Sequence, residues 1–344
     1  MNILLIQLKR IGDLVLTTPA ISALRMTFPD ARLFLAVSRD VARLVPAIKE
    51  INQTFEVRRN IRDIGIVMSI AGRKFDYCID FTRNDRSAFL SLLSHAKKRV
   101  VSSRVKRRAP LRRRAYNEFV EHRMRDMHTI DYNLSLLRPL GIDGIEPKVH
   151  LDFPSSARLE ADQLLAAAKI ERPFVIFHPG SARAEKFWEP ERWAKVISHA
   201  LNEHKLNAVL TGGRSSLEQT HLRKIMAALP RPIENSEAGS LVDLSGKMDL
   251  LALGALIAQA CLLVTVDSAP VHLAAATGTP QIALFGPTNP YHWRPRTSPA
   301  LILQGNSGMP LDQFAPKETR VSMNLISTQA VIDAMDTLLS APTG

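Results

Sequence analysis

The sequence has 344 residues, 46% of them hydrophobic, and its 45 Lys and Arg residues against 33 Asp and Glu residues give a net charge of +12. This composition excludes a disordered or fibrous chain, and the length is sufficient for two domains with complete cores. The positive charge predicts an anionic partner, and nucleic acid, anionic lipid and a phosphorylated sugar all fit that description.

Cysteine usage and the first residues predict a cytoplasmic protein. Cys78 and Cys261 lie in apolar runs, where a thiol behaves as a small hydrophobic group, so neither a disulfide nor a metal framework follows from them. The N-terminal apolar run is interrupted by Lys9, Arg10 and Asp13, and no small-residue cleavage site follows it. It is therefore not predicted to be a signal peptide.

The first part of the chain alternates strands and helices. Strands are predicted at 2–7, 32–37, 53–57 and 75–81, and helices at 14–28, 41–47, 61–71 and 129–140. This alternation predicts a doubly wound α/β sheet. Gly12 and Asp13 fall in the turn after the first strand, at the sheet edge where such folds bind ligands. Capping of the following helix is the structural alternative for Asp13.

A dense basic run occupies residues 97–114, which contain ten Lys or Arg and no Asp or Glu. We predict that a run this highly charged does not pack as core. Its structural interpretation is a solvated loop, and its functional interpretation, which we favour, is a basic surface that holds an anionic partner. Nearby residues that add positive charge are Arg58, Arg59, Arg62, Arg83 and Arg86.

The alternation restarts after a linker at 147–154. Strands are predicted at 174–178, 207–211, 262–266 and 281–285, with helices between them and a last helix at 328–339. We predict a first domain at 1–155 and a second at 156–327. The segment 328–344 is expected to carry a helix that can pack back on the first domain.

Residues 264–288, VTVDSAPVHLAAATGTPQIALFGPT, have the pattern of a strand, a helix and a second strand. Pro270 near the helix start and Gly278 just after its end support these boundaries. The helix N-terminus points backbone N–H groups and the positive end of a dipole at one place, which suits a phosphate. In the structural alternative Asp267 and Ser268 only cap the helix and His272 is a satisfied polar residue.

Three loops follow predicted strands in this half: HPGSARAEKFW, TGG and VDSAPVH. Together they can line a nucleotide diphosphate site. Lys186 lies in the first loop, before the aromatic pair Phe187 and Trp188, and can direct its ammonium group toward a phosphate. By itself, Lys186 would be interpreted as an exposed loop lysine.

Four segments occur in this order: ILLIQLKRIGDLVLTTPAISALR, HPGSARAEKFWEPERW, SGKMDL and VDSAPVHLAAATGTPQIALFGPT. Over nearly the whole chain their order and spacing resemble the ADP-heptose:lipopolysaccharide heptosyltransferase family of inverting GT-B glycosyltransferases. The resemblance implies two Rossmann-like domains facing each other across a cleft, with the acceptor on the first and the sugar nucleotide on the second. It implies no metal and no cofactor besides the ADP-heptose donor.

The resemblance also implies roles for individual residues. Asp13 is similar in position to the general base of the family, and Lys186 to the residue that stabilises the leaving diphosphate. The implied donor-binding residues are Ser181, Ala182, Met248, Asp267, Ser268, Ala269 and His272. To the anionic glycolipid acceptor we assign the basic residues Arg58, Arg62, Arg83, Arg86, Arg112, Arg113 and Arg114.

The sequence departs from the family pattern at two places. Ser181 and Ala182 stand where two hydroxyl residues can occur, so one phosphate hydrogen bond is expected to be missing. Arg214 stands where an acidic ribose contact is expected, and either Glu218 substitutes for that contact or the nucleotide differs.

Three functions are therefore considered. The first is heptose transfer to the lipopolysaccharide inner core by an enzyme that associates weakly with the anionic surface of the inner membrane. The second is a transferase of the same fold that uses another sugar nucleotide. The third is nucleic-acid binding through residues 97–125. We do not expect it, because that region has few aromatics, Tyr116 and Phe119, and no nucleic-acid-binding signature.

Overall fold

The computed structural model describes residues 1–58, 63–108, 110–122, 124–146, 148–230, 239–305, 308–317 and 320–340. The chain divides into two compact units, Met1–Asp152 and Phe153–Gly344. The division lies close to the boundary predicted after residue 155. Among the helices of the described ranges, none is long and apolar enough to cross a bilayer.

The first unit is a doubly wound α/β domain whose six parallel strands have the order β3-β2-β1-β4-β5-β6. The strands are β1 Asn2–Gln7, β2 Arg32–Ser38, β3 Gln53–Val57, β4 Tyr77–Asp80, β5 Lys98–Ser102 and β6 Glu118–Val120. The helices are α1 Ile11–Val15, α2 Thr18–Thr27, α3 Arg39–Ala42, α4 Ile64–Ala71, α5 Asp85–Leu93, α6 Arg104–Arg108, α7 Pro110–Arg113 and α8 Thr129–Ser135.

The second unit repeats this architecture with six parallel strands in the order β12-β11-β10-β7-β8-β9. The strands are β7 Phe174–His178, β8 Asn207–Leu210, β9 Leu241–Asp243, β10 Leu262–Val266, β11 Gln281–Phe285 and β12 Ala300–Gln304. The helices are α9 Ser155–Ala167, α10 Pro190–Asn202, α11 Ser216–Ala228, α12 Leu250–Ile257, α13 Ala269–Thr277, α14 Pro290–Trp293 and α15 Thr328–Ser340. The predicted fold class, two Rossmann-like α/β domains, is confirmed.

The cores explain why the central strands are continuous apolar runs. Every residue of β7, β10 and β11 is buried, as expected of parallel strands that are covered by helices on both faces. In the first unit, Phe34 of β2 stacks on Phe55 and meets the ring of Phe75 edge-on. The predicted bounds of α13 are confirmed, since Pro270 lies in its first turn and Gly278 ends it with a φ of +78°.

The prediction that the basic run at 97–114 does not pack as core is wrong for its first part. Lys98–Ser102 is strand β5, and Val100 and Val101 are fully buried between β4 and β6. The charged residues lie at the beginning of the strand, where Arg99 Nε donates to the carbonyl oxygen of Ala115 at 2.9 Å. A short buried strand needs only a few apolar residues, so the charge of the surrounding run concealed it.

The structure divides one predicted helix, and it shows where the last helix packs within the second unit. The single helix predicted at 14–28 is two helices, and Pro19 lies in the first turn of the second, where its missing N–H costs no hydrogen bond. The last helix, α15, packs in the second unit against α10, and Val331 and Met335 are buried in the core there. An amphipathic helix at the end of a chain can pack on either domain, so its sequence did not decide the outcome.

Candidate active site

Charged side chains collect at one point of each sheet. In the first sheet β1 and β4 are neighbours, and the chain proceeds from them toward opposite edges of the sheet. In the second sheet β7 and β10 have the same relation. Open α/β sheets bind their ligands outside the carboxyl ends of such a strand pair. The sequence-predicted residues Asp13, Lys186 and Asp267 all follow one of these four strands.

Asp13 is buried in α1, which begins four residues after β1 ends. Its carboxylate accepts a hydrogen bond from the backbone N–H of Arg10 at 3.3 Å and lies 3.7 Å from the Lys9 ammonium. Its backbone is held by Thr17, whose hydroxyl donates to the Asp13 carbonyl oxygen at 2.7 Å. The Arg10 contact is a helix-capping interaction, and both side-chain contacts are long, so capping and base chemistry remain compatible with this position.

Lys9 was not identified from the sequence, although its place four residues before Asp13 is a usable signal. Burial lowers the pKa of Lys9, and the positive charge of Arg83 lowers it further, while the Asp13 carboxylate opposes both effects. The structure therefore brings Asp13, Lys9 and Arg83 into one electrostatic group at the carboxyl ends of β1 and β4. Such a group can accept a proton from a hydroxyl and attract an anionic ligand.

Asp80 ends β4 and holds the turn that carries Arg83. The buried Asp80 carboxylate accepts hydrogen bonds from the N–H groups of Thr82 at 2.7 Å and Arg83 at 3.0 Å, and from the Tyr116 hydroxyl at 2.5 Å. Burial raises the pKa of Asp80 although these hydrogen bonds act to lower it. Arg83 has a φ of +65°, and its guanidinium lies 4.8 Å from the ring centre of Tyr132. Asp80 was missed because its role depends on contacts distant in sequence.

The other predicted acceptor residues are distributed over the same unit. Arg112 pairs with Asp85 and donates to the Arg83 carbonyl oxygen at 3.1 Å, so the structure brings Arg112 and Arg83 together. Arg113 and Arg114 are exposed, and Arg86 is half-buried on α5. Arg58 follows β3 and lies 3.6 Å from Glu56, apart from this group. Arg62 and the neighbouring Arg59 lie outside the described residues.

In the second unit, Lys186 is buried and is not the exposed lysine that its loop position suggests. Its ammonium donates to the Asp267 carbonyl oxygen at 2.8 Å and to the Asp267 carboxylate at 2.5 Å. Trp188 fixes the end of this loop, because its buried ring donates a hydrogen bond to the Ile326 carbonyl oxygen at 3.0 Å. The contacts between Lys186 and Asp267 thereby join the loops after β7 and β10 at the carboxyl ends of these strands.

The N-terminus of α13 is not closed by the side chains expected to cap it. Ser268 occupies the capping position but makes no side-chain capping hydrogen bond, and its buried Oγ has no partner among the described residues. Asp267 is engaged with Lys186. The interpretation in which Asp267 and Ser268 only cap the helix is therefore wrong. Ala269 is the first residue of the helix and His272 is buried in its first turn, so this helix start retains donors for an anion.

Gly180 and Gly213 lie against the carboxylate of Glu218. A Cβ atom added at Gly213 would stand 2.1 Å from a Glu218 oxygen, and one added at Gly180 would stand 2.7 Å from the other. Glu218 thus reaches back from α11 to the ends of β7 and β8. Ser181 is buried and its hydroxyl accepts a hydrogen bond from the Arg183 N–H at 3.3 Å, whereas Ala182 is exposed.

Arg214, which stands in the sequence where an acidic ribose contact is expected, is bound to the loop after β9. Its side chain is exposed and its Nε donates to the Gly246 carbonyl oxygen at 2.8 Å. Met248 is half-buried in the loop after β9, between Gly246 and Asp249, which caps α12.

Two buried histidines near these loops were missed from the sequence. His178 ends β7 and its Nδ1 lies 2.9 Å from the Thr211 hydroxyl, which links the ends of β7 and β8. Burial lowers the pKa of His178 to about 4, so the ring is neutral at pH 7. The His221 ring stacks on Phe187 at 4.2 Å, and burial followed by the charge of Lys224 lowers its pKa to about 4. In the sequence, the position of His221 one helical turn after Glu218 was the signal that could have identified it.

Comparison with known proteins identifies the family of this chain. The sequence pattern of glycosyltransferase family 9 (heptosyltransferase) matches residues 66–313. Lipopolysaccharide heptosyltransferase 3 of Escherichia coli is 26% identical over 341 residues, which cover 96% of this chain and 97% of the relative.

Two solved structures share the fold over nearly the whole chain. The glycosyl transferase family 9 protein from Veillonella parvula has a TM-score of 0.81 and 23% identity, and the alignment covers 98% of this chain and 97% of that one. E. coli ADP-heptose lps heptosyltransferase II has a TM-score of 0.78 and 20% identity, with 98% of both chains covered. Since the family pattern spans more than half of the chain, the protein belongs to glycosyltransferase family 9, the heptosyltransferases, and is a glycosyltransferase.

Proposed function

We propose that the enzyme transfers heptose from ADP-heptose to a hydroxyl of the lipopolysaccharide inner core, in one inverting displacement that needs no metal ion. Membership of the family and the names of the relatives support the reaction class. The observation that carries the proposal is the Lys186 ammonium held beside the start of α13. A departing diphosphate is stabilised by fixed positive charge together with N–H donors of this kind.

In this proposal Asp13 accepts the proton of the acceptor hydroxyl while the hydroxyl oxygen bonds to the anomeric carbon of heptose. The bond between that carbon and the distal phosphate oxygen breaks, and ADP leaves with its electron pair. Because the acceptor attacks opposite the leaving group, the configuration at the anomeric carbon inverts.

Lys186 is suited to the charge that develops on the leaving diphosphate. An ammonium group has three N–H donors, and the contacts with Asp267 use two of them. The remaining N–H is available to a phosphate oxygen. The Ser268 hydroxyl, which has no partner in the part of the chain that the structure describes, and the first N–H groups of α13 supply further donors.

The test is transfer from ADP-heptose to a panel of truncated core acceptors, with the product anomer assigned by NMR. Parallel titrations with ADP, UDP and GDP identify the nucleotide. We expect ADP to bind most tightly and the product to be inverted. Tight binding of only a uridine nucleotide would instead indicate a transferase with another sugar nucleotide.

Glu218 is proposed to bind the ribose of the donor, because two glycines leave space for its carboxylate at the ends of β7 and β8. Glu218→Gln is expected to weaken ADP binding by about 10-fold, which corresponds to a hydrogen bond with a charged group. The measurement is calorimetric titration with ADP and its 2′-deoxy and 3′-deoxy analogues. For the analogue that lacks the contacted hydroxyl, the variant and the parent enzyme should bind equally.

Glu185→Gln is the matched control, since Glu185 is an exposed carboxylate in the loop that carries Lys186. Its ADP affinity should stay within about twofold of the parent value. A Glu218→Gln enzyme that loses the same affinity for ADP and for both deoxy analogues would refute the ribose contact.

The basic residues of the first unit are proposed to bind the anionic acceptor. Replacing Arg112, Arg113 and Arg114 with Gln is expected to raise the acceptor KM severalfold and to weaken its salt dependence, while ADP affinity stays unchanged. Steady-state kinetics at several salt concentrations and ADP titration measure both effects. The same surface charge supports weak association with anionic membrane, at about 1 kcal/mol per basic residue near the surface.

A variant of the second unit controls for the change in net charge. Arg158, Lys169 and Lys195 are exposed, and their joint replacement by Gln removes as much charge without touching the first unit. This variant should keep the parent acceptor KM. Equal effects of the two triple replacements would show that only net charge matters.

A further inference from the structure

Two histidines and an aspartate of the second unit converge at a place that the proposed reaction does not use. His199 lies in the last turn of α10, His204 follows that helix, and Asp336 lies on α15. The Nε2 atoms of both histidines lie 2.7 Å from the same oxygen, Oδ1 of Asp336. The ligand atoms of all three residues are within 4.8 Å of one another.

We propose that these three side chains bind a divalent transition metal, Zn²⁺ or a similar ion, which fastens α15 to α10. Two imidazoles and one carboxylate are a donor set that suits such ions, and three protein ligands with water in a fourth position are common for zinc.

The geometry needs little change to accept the ion. With metal-to-ligand distances of about 2.0 to 2.2 Å, tetrahedral coordination separates the ligand atoms by about 3.3 Å. The present nitrogen-to-oxygen distances are 2.7 Å, so modest outward shifts of the three side chains create the site. The two rings lie edge to face, with centres 5.2 Å apart, which keeps both nitrogens directed at one point.

The position in the fold indicates a structural ion. Helix α10 begins after the β7 loop and ends shortly before β8 begins, so His199 and His204 lie toward the amino edge of the sheet. The donor-binding residues lie at the carboxyl ends of the strands. Each histidine is partly exposed, with 19% and 25% of its side chain accessible, so an ion can enter from solvent.

The experiment is equilibrium dialysis of the full chain against Zn²⁺, with metal content measured by mass spectrometry, and the visible spectrum after loading with Co²⁺. We expect one ion per chain, and a rise in Tm of about 5 °C at a hundredfold excess of Zn²⁺ over Kd. Replacing His199 or His204 with Ala, or Asp336 with Asn, should weaken binding by more than about 100-fold, beyond the usual loss from a supporting residue.

Matched controls are available for both ligand types. Asp333 is an exposed carboxylate one turn before Asp336 that bonds Gln329, and His150 is an exposed histidine of the first unit. Asp333→Asn and His150→Ala should bind Zn²⁺ as the parent does. Circular dichroism and ADP titration confirm that each variant is folded. Absence of tight binding in the parent, or full binding in the variant that lacks all three ligands, overturns the proposal.

Discussion

Replacing Asp13 with asparagine is expected to lower the single-turnover rate by roughly 100-fold or more while ADP binding survives. Asparagine keeps the shape of the side chain and can still accept the hydrogen bond from the Arg10 N–H. It cannot take a proton from the acceptor hydroxyl. Binding and chemistry should therefore separate, and single-turnover kinetics, ADP titration and Tm measure them independently.

The capping interpretation of Asp13 predicts a different outcome. Because asparagine retains the hydrogen bond from the Arg10 N–H, the cap is at most weakened, so the free energy of unfolding falls by about 1 kcal/mol or less and turnover per folded molecule stays nearly normal. Thr17→Val is a useful control, because Thr17 holds the Asp13 backbone and carries no charge. If Asp13→Asn were destabilised yet fully active, the catalytic role would be excluded.

Replacing Lys186 with alanine is expected to lower turnover by roughly 100-fold and also to weaken ADP binding by about 10-fold. Turnover and ADP affinity both fall because the product ADP already carries the negative charge that develops on the leaving group in the transition state. Part of the phosphate affinity should remain, since the start of α13 keeps its N–H donors. Single-turnover kinetics and ADP titration give the two values.

Lys186 forms an ion pair with Asp267, so Lys186→Ala is expected to lower stability as well as activity. A second substitution, in Asp267, separates the two effects. Lys186 and Asp267 are both buried, so removal of the lysine leaves an unpaired carboxylate, which typically destabilises a protein by about 3 to 5 kcal/mol. The double variant Lys186→Ala with Asp267→Asn removes that carboxylate. It should regain much of the lost Tm without regaining activity. Recovery of activity in the double variant would show that Lys186 serves only to neutralise Asp267.

Particular residues show why part of the site could be predicted and part could not. Asp13 and Ser268 were found because each follows an apolar strand at a turn into a helix, which is a local pattern. Lys9 was within reach of the same reasoning. Asp80 and His178 were not, because their partners, Tyr116 and Thr211, lie 36 and 33 residues away in the chain. The predicted roles of Asp13 and Lys186 remain predictions.

The difference between local patterns and contacts distant in sequence also bears on the errors in the predicted fold. The basic run at 97–114 was treated as one unit because its charge dominates its composition. Val100 and Val101 became a buried strand because β4 and β6 stand on either side of them. The helix predicted at 14–28 was divided because Pro19 starts a new helix. Strand order therefore explains the first error, whereas the second arose from a local signal, the position of Pro19, that was not used to divide the helix.

The sequence by itself determined the alternation of apolar strands and helices, the two α/β domains and the bounds of α13, because periodicity, proline and glycine act through adjacent residues. Only the tertiary structure decided that β10 lies beside β7. That adjacency joins Lys186 to Asp267 across 81 residues and leaves the helix start open. The tertiary structure also decided that Asp336 meets His199 and His204, since the burial of α15 against α10 depends on the whole core. The sequence sets the chemistry of each side chain, whereas the packing of strands and helices determines which side chains come into contact.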